Sequence, residues 1–269
     1  MAEKEPARMP NERISDIRIE RVALELLDQY SITDPGFDIE DLAEAERLEV
    51  RRGGLKNIDA WLVRKPEGGG IIRLRDDTPE VGRVRFSIAH EIGHWLLHPG
   101  LCQGFLCTAA DMVDYARSPE EAEANRFAAN LLMPKSWIPA GTWKKDPEFS
   151  VTAGLAKDFK TTLTAATRRY VELATHAVVL VFSKNGTVHW SLKSPRAKPL
   201  FIERAVSVPA NSITRECIDQ GKNAGPALVE PDVWFPDWHF DDDSEVFEDV
   251  RISTTYGWAM TILWVPELG

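Results

Sequence analysis

His90, Glu91, His94 and His98 stand within nine residues of one another. The first three spell H-E-x-x-H, in which two histidines one helical turn apart can grip a zinc ion beside a glutamate base. Three of the chain's six histidines lie here, and a chance H-E-x-x-H is expected in roughly one chain per hundred of this size. With His90 at zero on a helical wheel, His94 falls near ~40°, His98 near ~80° and Glu91 near ~100°. Ile88, Ala89, Ile92, Trp95 and Leu96 occupy the opposite arc, and Pro99-Gly100 stops the helix. The spacing predicts an amphipathic helix whose polar stripe is imidazole and carboxylate. Neutral imidazole is a good zinc ligand, and zinc brings a water's pKa toward neutrality. Glu91, offset from both histidines, is suited to take that water's proton as it attacks a carbonyl. His98 either lines the cleft and stabilises an oxyanion or caps the helix C-terminus, where a cation is favoured.

A catalytic zinc needs a third protein ligand. The segment Ser118–Pro134 supplies candidates: Ser118 is suited to cap a helix, Pro119 to open it and Pro134 to end it. Its apolar stripe is Ala124, Phe127, Ala128, Leu131 and Leu132. Glu123 and Glu120 both fall at or within that stripe, where a carboxylate needs a partner, and the wheel does not separate them. Glu121 is expected to point away.

The blocks R-F-S-I-A-H-E-I-G-H-W-L-L-H at 85–98 and E-A-N-R-F-A-A-N-L-L-M-P at 123–134 resemble the ImmA/IrrE family of zinc metallopeptidases. Both match in order and separation, and the resemblance covers residues ~12–140. It implies a gluzincin-like site with His90, His94 and Glu123 on zinc and Glu91 as base. It also implies a substrate class, since such proteins typically cut a helix-turn-helix repressor encoded nearby, in stress response or mobile-element regulation.

The whole chain bounds the rest. Its 269 residues suffice for one large domain or two to three small ones. Neither a membrane-spanning apolar run nor a hydrophobic leader is visible, so a cytoplasmic protein is expected. Three cysteines, with Cys102 and Cys107 spaced Cys-x4-Cys, suggest packing residues rather than a disulfide framework or a zinc knuckle. A net charge of −10 argues against a protein that coats nucleic acid.

These pieces predict an α+β fold: a zincin-like core of helices and a small mixed sheet over 1–140, a helix-turn-helix-like segment over 141–175, and a β-rich unit over 176–269. Helices are expected over 12–30 and from Asp38, and strands at 48–51, 60–63 and 71–75. In zinc peptidases of this design a sheet edge holds the substrate backbone as an added strand, a role open to residues 70–75; an ordinary buried strand is the alternative. From Lys144 to Glu172 six basic residues face four acidic ones. That excess is thin for phosphate binding, so direct DNA binding is not expected there. Lys184-Asn185-Gly186 signals a hairpin, and the acid run at 241–249 a solvated loop. The resulting expectation is a zinc-dependent endopeptidase acting on a repressor. The alternative is a non-enzymatic regulator or toxin–antitoxin component that uses the zinc fold as a scaffold.

Overall fold

The computed structural model describes residues 13–55, 59–78, 80–99, 106–107 and 118–268 except residue 242, with the backbone alone at 106–107 and 267. The protein is α+β. Among the described residues no helix is long and apolar enough to cross a membrane. Contacts divide the chain into two compact units, one running to Pro134 and including Phe159–Thr161, the other holding Lys135–Asp158 and Thr162–Gly269.

The first unit opens with α1 (Asp16–Gln29), which Ser15 caps by accepting the Arg18 N–H, and α2 (Ile39–Ala45), capped in the same way by Asp38. Three strands follow, β1 (Leu48–Arg52), β2 (Ala60–Arg64) and β3 (Gly70–Leu74), then α3 (Val81–Leu97), β4 (Leu106–Cys107) and α4 (Pro119–Leu132). The sheet order is β1-β3-β2-β4, with β1 parallel to β3 and β2 antiparallel to both β3 and β4. Gly70, Ile72 and Leu74 are buried while Ile71 and Arg73 are not, so alternate residues supply one packed face. α3 packs on β2 and β3. Because β3 lies between β1 and β2, both its edges are hydrogen-bonded, and residues 70–75 cannot accept an added strand. Among the described residues, β1 pairs on one side only, and β2 is paired by β4 only at Ala60 and Trp61.

The second unit begins with α5 (Phe149–Asp158) and α6 (Leu163–Leu173), then β5 (Ala177–Lys184) and β6 (Thr187–Lys193). Asn185 and Gly186, with φ of 50° and 74°, form the two-residue turn between those strands. α7 (Ile213–Gln220), β7 (Ala224–Val229), α8 (Pro231–Trp234), β8 (Val246–Ser253) and β9 (Trp258–Val265) complete an antiparallel sheet ordered β6-β5-β9-β8-β7. The two helices expected within 141–175 thus share a unit with this sheet. α6 packs on β5 and β6, and none of its residues is exposed.

The acid run is not a solvated loop throughout. Glu248 and Asp249 lie on β8, fully and nearly fully buried. Glu248 accepts the backbone N–H groups of Ile213 and Thr214 at 3.0 and 2.6 Å, satisfying the otherwise open start of α7. Asp249 accepts the Phe149 N–H at 2.7 Å and pairs with Arg251 at 2.8 Å. Cys217 is a buried free thiol on α7, whereas the side chains of Cys102 and Cys107 lie outside the described residues. Beside the edge strand β7 is a cavity of about 750 Å³ with Glu230, Asp232 and Glu245 in its lining.

In the first unit a buried carboxylate ties sheet to helix. Asp59 receives Arg83, from the first turn of α3, at 2.6 Å and Arg75, from the end of β3, at 3.3 Å. Breaking a buried pair leaves charges without partners, a cost moderated here because the arginines are 24% and 29% exposed. Asp59→Ala is therefore expected to lower unfolding free energy by about 2 kcal/mol. Urea denaturation checks this, and a change below about 0.5 kcal/mol would show that the tie carries no stability.

Candidate metal centre

α3 is not the half-exposed helix its pattern predicts. Eleven of its residues are buried, including the intended polar stripe of His90, Glu91 and His94, because that stripe faces another helix rather than water. The contact is unusually close. A Cβ built on Gly93 would lie 3.2 Å from both the Cα and the carbonyl oxygen of Ala124, and 3.1 Å from Phe127. The absence of that Cβ lets α4 approach far enough for one of its carboxylates to reach the imidazoles of α3.

That carboxylate belongs to Glu121. Its Oε2 lies 3.2 Å from His90 Nε2 and its Oε1 3.2 Å from His94 Nε2, and the two Nε2 atoms are 2.9 Å apart. The three groups can each offer one ligand atom to a common metal ion, and all three are buried. Edges near 3 Å suit a small tetrahedral ion, since zinc with ligands at ~2.1 Å requires separations of about 3.4 Å. His90 Nδ1 lies 3.0 Å from Asn125 Oδ1. The amide oxygen can only accept, so Nδ1 carries a proton, and in the neutral imidazole the Nε2 lone pair points into the cluster.

Glu123, the third ligand implied by family resemblance, is elsewhere. Its Oε1 accepts the Ile14 N–H at 2.7 Å, and its Oε2 lies 3.8 Å from His98 Nε2. The wheel shows why. With Glu121 at zero, Asn125, Ala128 and Leu132 fall within ~40° of it and Glu123 near ~200°. α4 is buried on both sides, and the apolar stripe does not reveal which side faces α3. Two features did mark Glu121: Asn125 one turn on, and Ala128 two turns on. The pattern Ser118-x-x-Glu121 also fits a capping box, but here only the serine half is used, with Ser118 Oγ accepting the Glu121 N–H at 3.2 Å.

The other two residues remain on α3. Glu91 is fully buried, and its charge acts on His90. His98 is the C-cap residue, and its Nε2 donates to the Glu120 carbonyl at 3.2 Å. The helix end that it caps is closed by Arg64 of β2, which sequence reasoning missed. One guanidinium nitrogen donates to the carbonyls of His94, Trp95 and His98 at 3.0, 3.0 and 3.2 Å. The guanidinium also stacks 4.3 Å over the Trp95 ring. The last carbonyls of a helix lack internal partners and carry negative partial charge, so a cation is well placed there.

Burial opposes charge throughout the cluster, and the partners decide the outcome. Burial pushes the His90 pKa down, but Glu121, Glu91 and Asn125 outweigh it and raise it above the usual histidine value. At His94 burial dominates, with His90 and His98 adding to it, and the pKa falls to about 4. Burial would raise the Glu121 pKa, yet the two imidazoles hold it far below the usual carboxylate range. The cluster therefore joins a carboxylate held ionised to one histidine held neutral and a second whose pKa is raised.

Residues 43–170 match the family model of the IrrE N-terminal-like domain, Peptidase M78. No curated protein sequence matches the chain. Among solved structures, a Mycobacterium tuberculosis transcriptional regulator is similar, with a TM-score of 0.60 at 13% identity over 93% of this chain and 76% of that one. Identity that low shows a shared fold alone. The helix pair that joins His90, His94 and Glu121 lies inside the span that is similar to the IrrE N-terminal-like domain.

Proposed function

We propose that the protein is a zinc-dependent endopeptidase, with His90, His94 and Glu121 as metal ligands and Glu91 as general base. The observation that carries this reading is the convergence of two imidazole nitrogens and one carboxylate on a buried point, directly beside a second buried carboxylate. A neutral nitrogen pair with one carboxylate is a donor set that suits zinc. When bound, zinc supplies Lewis acidity that acidifies a water and polarises a carbonyl. Glu91 takes the proton released as the water attacks the scissile carbonyl and delivers it to the departing amine nitrogen. Asn125 keeps the His90 proton on Nδ1, and burial keeps His94 neutral, so both Nε2 atoms stay available. The part of the β2 edge that β4 leaves unpaired among the described residues, on the strand that packs against α3, would offer backbone groups to an extended substrate.

The substrate class we propose is a helix-turn-helix repressor encoded nearby, as the family resemblance implies. A second reading, partner binding without cleavage, has one observation in its favour. The acid-lined cavity beside β7 suits a basic, extended segment of a partner protein.

The deciding experiment incubates the protein with the neighbouring repressor, with zinc or with chelator. Zinc-dependent cleavage at one bond is expected, reduced by roughly 10²–10⁴ in Glu91→Gln with zinc binding retained. Stable binding without cleavage, lost on Glu230→Lys and Asp232→Lys, would favour the second reading. Glu121→Ala should weaken zinc affinity by at least about 100-fold and Glu123→Gln by no more than about threefold. The reverse ranking would return the ligand role to Glu123.

Zinc binding should also weaken with acidification, because protons compete for the same nitrogens. The raised His90 pKa places the first proton above the usual histidine value, and His94 adds a second only near pH 4. Between those limits the apparent dissociation constant should rise about tenfold per pH unit. Chelator competition measures this, and a two-proton slope near pH 6 would show that His94 is not held neutral.

A further inference from the structure

We propose that His98 is a positioning residue for Glu121, neither a metal ligand nor an acid in the reaction. The inference rests on the reading of Glu121 as third ligand. Glu121 occupies the third position of α4, inside the first helical turn, where helices fray most easily. A ligand on such a turn needs its backbone fixed from outside the helix.

The peptide unit that precedes Glu121 is held at both of its polar ends. Its N–H, from Glu121, donates to Ser118 Oγ at 3.2 Å. Its carbonyl, from Glu120, accepts from His98 Nε2 at 3.2 Å. With both ends pinned, the peptide plane cannot rotate, and the direction of the Glu121 Cα–Cβ bond is set toward the imidazoles. His98 can serve as a fixed post because its own backbone is fixed. Its N–H donates to the His94 carbonyl, its carbonyl accepts from Arg64, and its ring is buried 5.3 Å from the His94 ring. The helix end that carries His94 thus grips the helix start that carries Glu121. Asn125 of α4 reciprocates by holding His90 of α3. Both hydrogen bonds run from imidazole donors of α3 and its cap to oxygen acceptors of α4, one fixing His90 and the other the peptide before Glu121.

His98 Nε2 is engaged with the Glu120 carbonyl, and His98 is not among the residues whose donor atoms converge. What the position requires is an N–H donor at the reach of Nε2. Glutamine meets that requirement and leucine does not.

The test compares His98→Leu, His98→Gln and Ser118→Ala with wild type, using zinc affinity by chelator competition and hydrogen exchange of the α4 amides in metal-free protein. His98→Leu should weaken zinc by about 10–100-fold, as loss of an outer-shell partner does, and His98→Gln by no more than about threefold. Ser118→Ala frees the other end of the same peptide and should weaken zinc about fivefold, which provides a second readout if His98→Leu fails to fold. Exchange across residues 120–124 should accelerate in His98→Leu and stay near wild type in His98→Gln. Unchanged zinc affinity with a reduced cleavage rate in His98→Leu would overturn the proposal in favour of a catalytic imidazole. Loss of zinc in His98→Gln as severe as in His98→Leu would overturn it in favour of a ligand. If wild type takes up no zinc while exchange still responds as expected, the tie stands and the metal reading fails; unchanged exchange removes the tie itself.

Discussion

The approach of α4 to α3 at Gly93 and Ala124 is the constraint on which the candidate site depends. Glycine inside a helix costs about 1 kcal/mol relative to alanine, and here it admits a backbone that a methyl group would hold off. Closeness brings both the opportunity and the difficulty. It carries Glu121 to within 3.2 Å of two imidazoles, and it removes all three groups from water. An ion pair at that separation gains about 5 kcal/mol at an effective dielectric near 20, while each buried ion loses several kcal/mol of hydration. The terms are of similar size. Additional hydrogen bonds, such as Asn125 on His90, therefore decide whether the cluster holds together.

The helix that bears the histidines is correspondingly fixed at both ends by groups from the sheet. Arg83 in its first turn meets Asp59, which also holds Arg75 at the end of β3. Its last carbonyls converge on Arg64 of β2. Between these anchors Ile88 and Ile92 are fully buried, and apolar burial supplies the bulk of the attachment. Polar ties at the ends fix register along the helix axis, which non-directional packing does poorly. A slip of one residue would turn His90 and His94 away from Glu121 by ~100°.

Local spacing made His90, Glu91 and His94 readable from the sequence, because one helix fixes their relations without reference to anything else. The same holds for the Asn185-Gly186 turn and for the presence of α1, though its start at Ser15 lies inside the expected span of 12–30. The carboxylate that meets the two imidazoles was not local. Choosing between Glu121 and Glu123 requires knowing which side of a doubly buried helix meets α3, and an apolar stripe cannot say so when both sides are covered. The central placement of β3 failed in the same way, since strand order depends on pairing with β1 across twenty residues of chain. Glu248 resembled a member of an acidic loop because nothing nearby in sequence announces the α7 start that it satisfies. Arg64 was hidden too: an arginine ending a strand has no local mark that it will close the far end of a helix.

The buried cluster sets one carboxylate against two imidazoles, with Glu121 held ionised by its partners and His94 held neutral by burial. Glu91 stands outside that set because of its place on α3. In the proposed reading a carboxylate directed at the ion would be consumed as a ligand, whereas one turned ~100° away on the helix keeps its oxygens available for a proton. Two carboxylates on different helices thus divide the labour. Glu121 reaches the imidazoles through close packing and completes the set of atoms that could hold a metal ion, and in the proposed reading Glu91 is held by its own helix at a remove suited to a base.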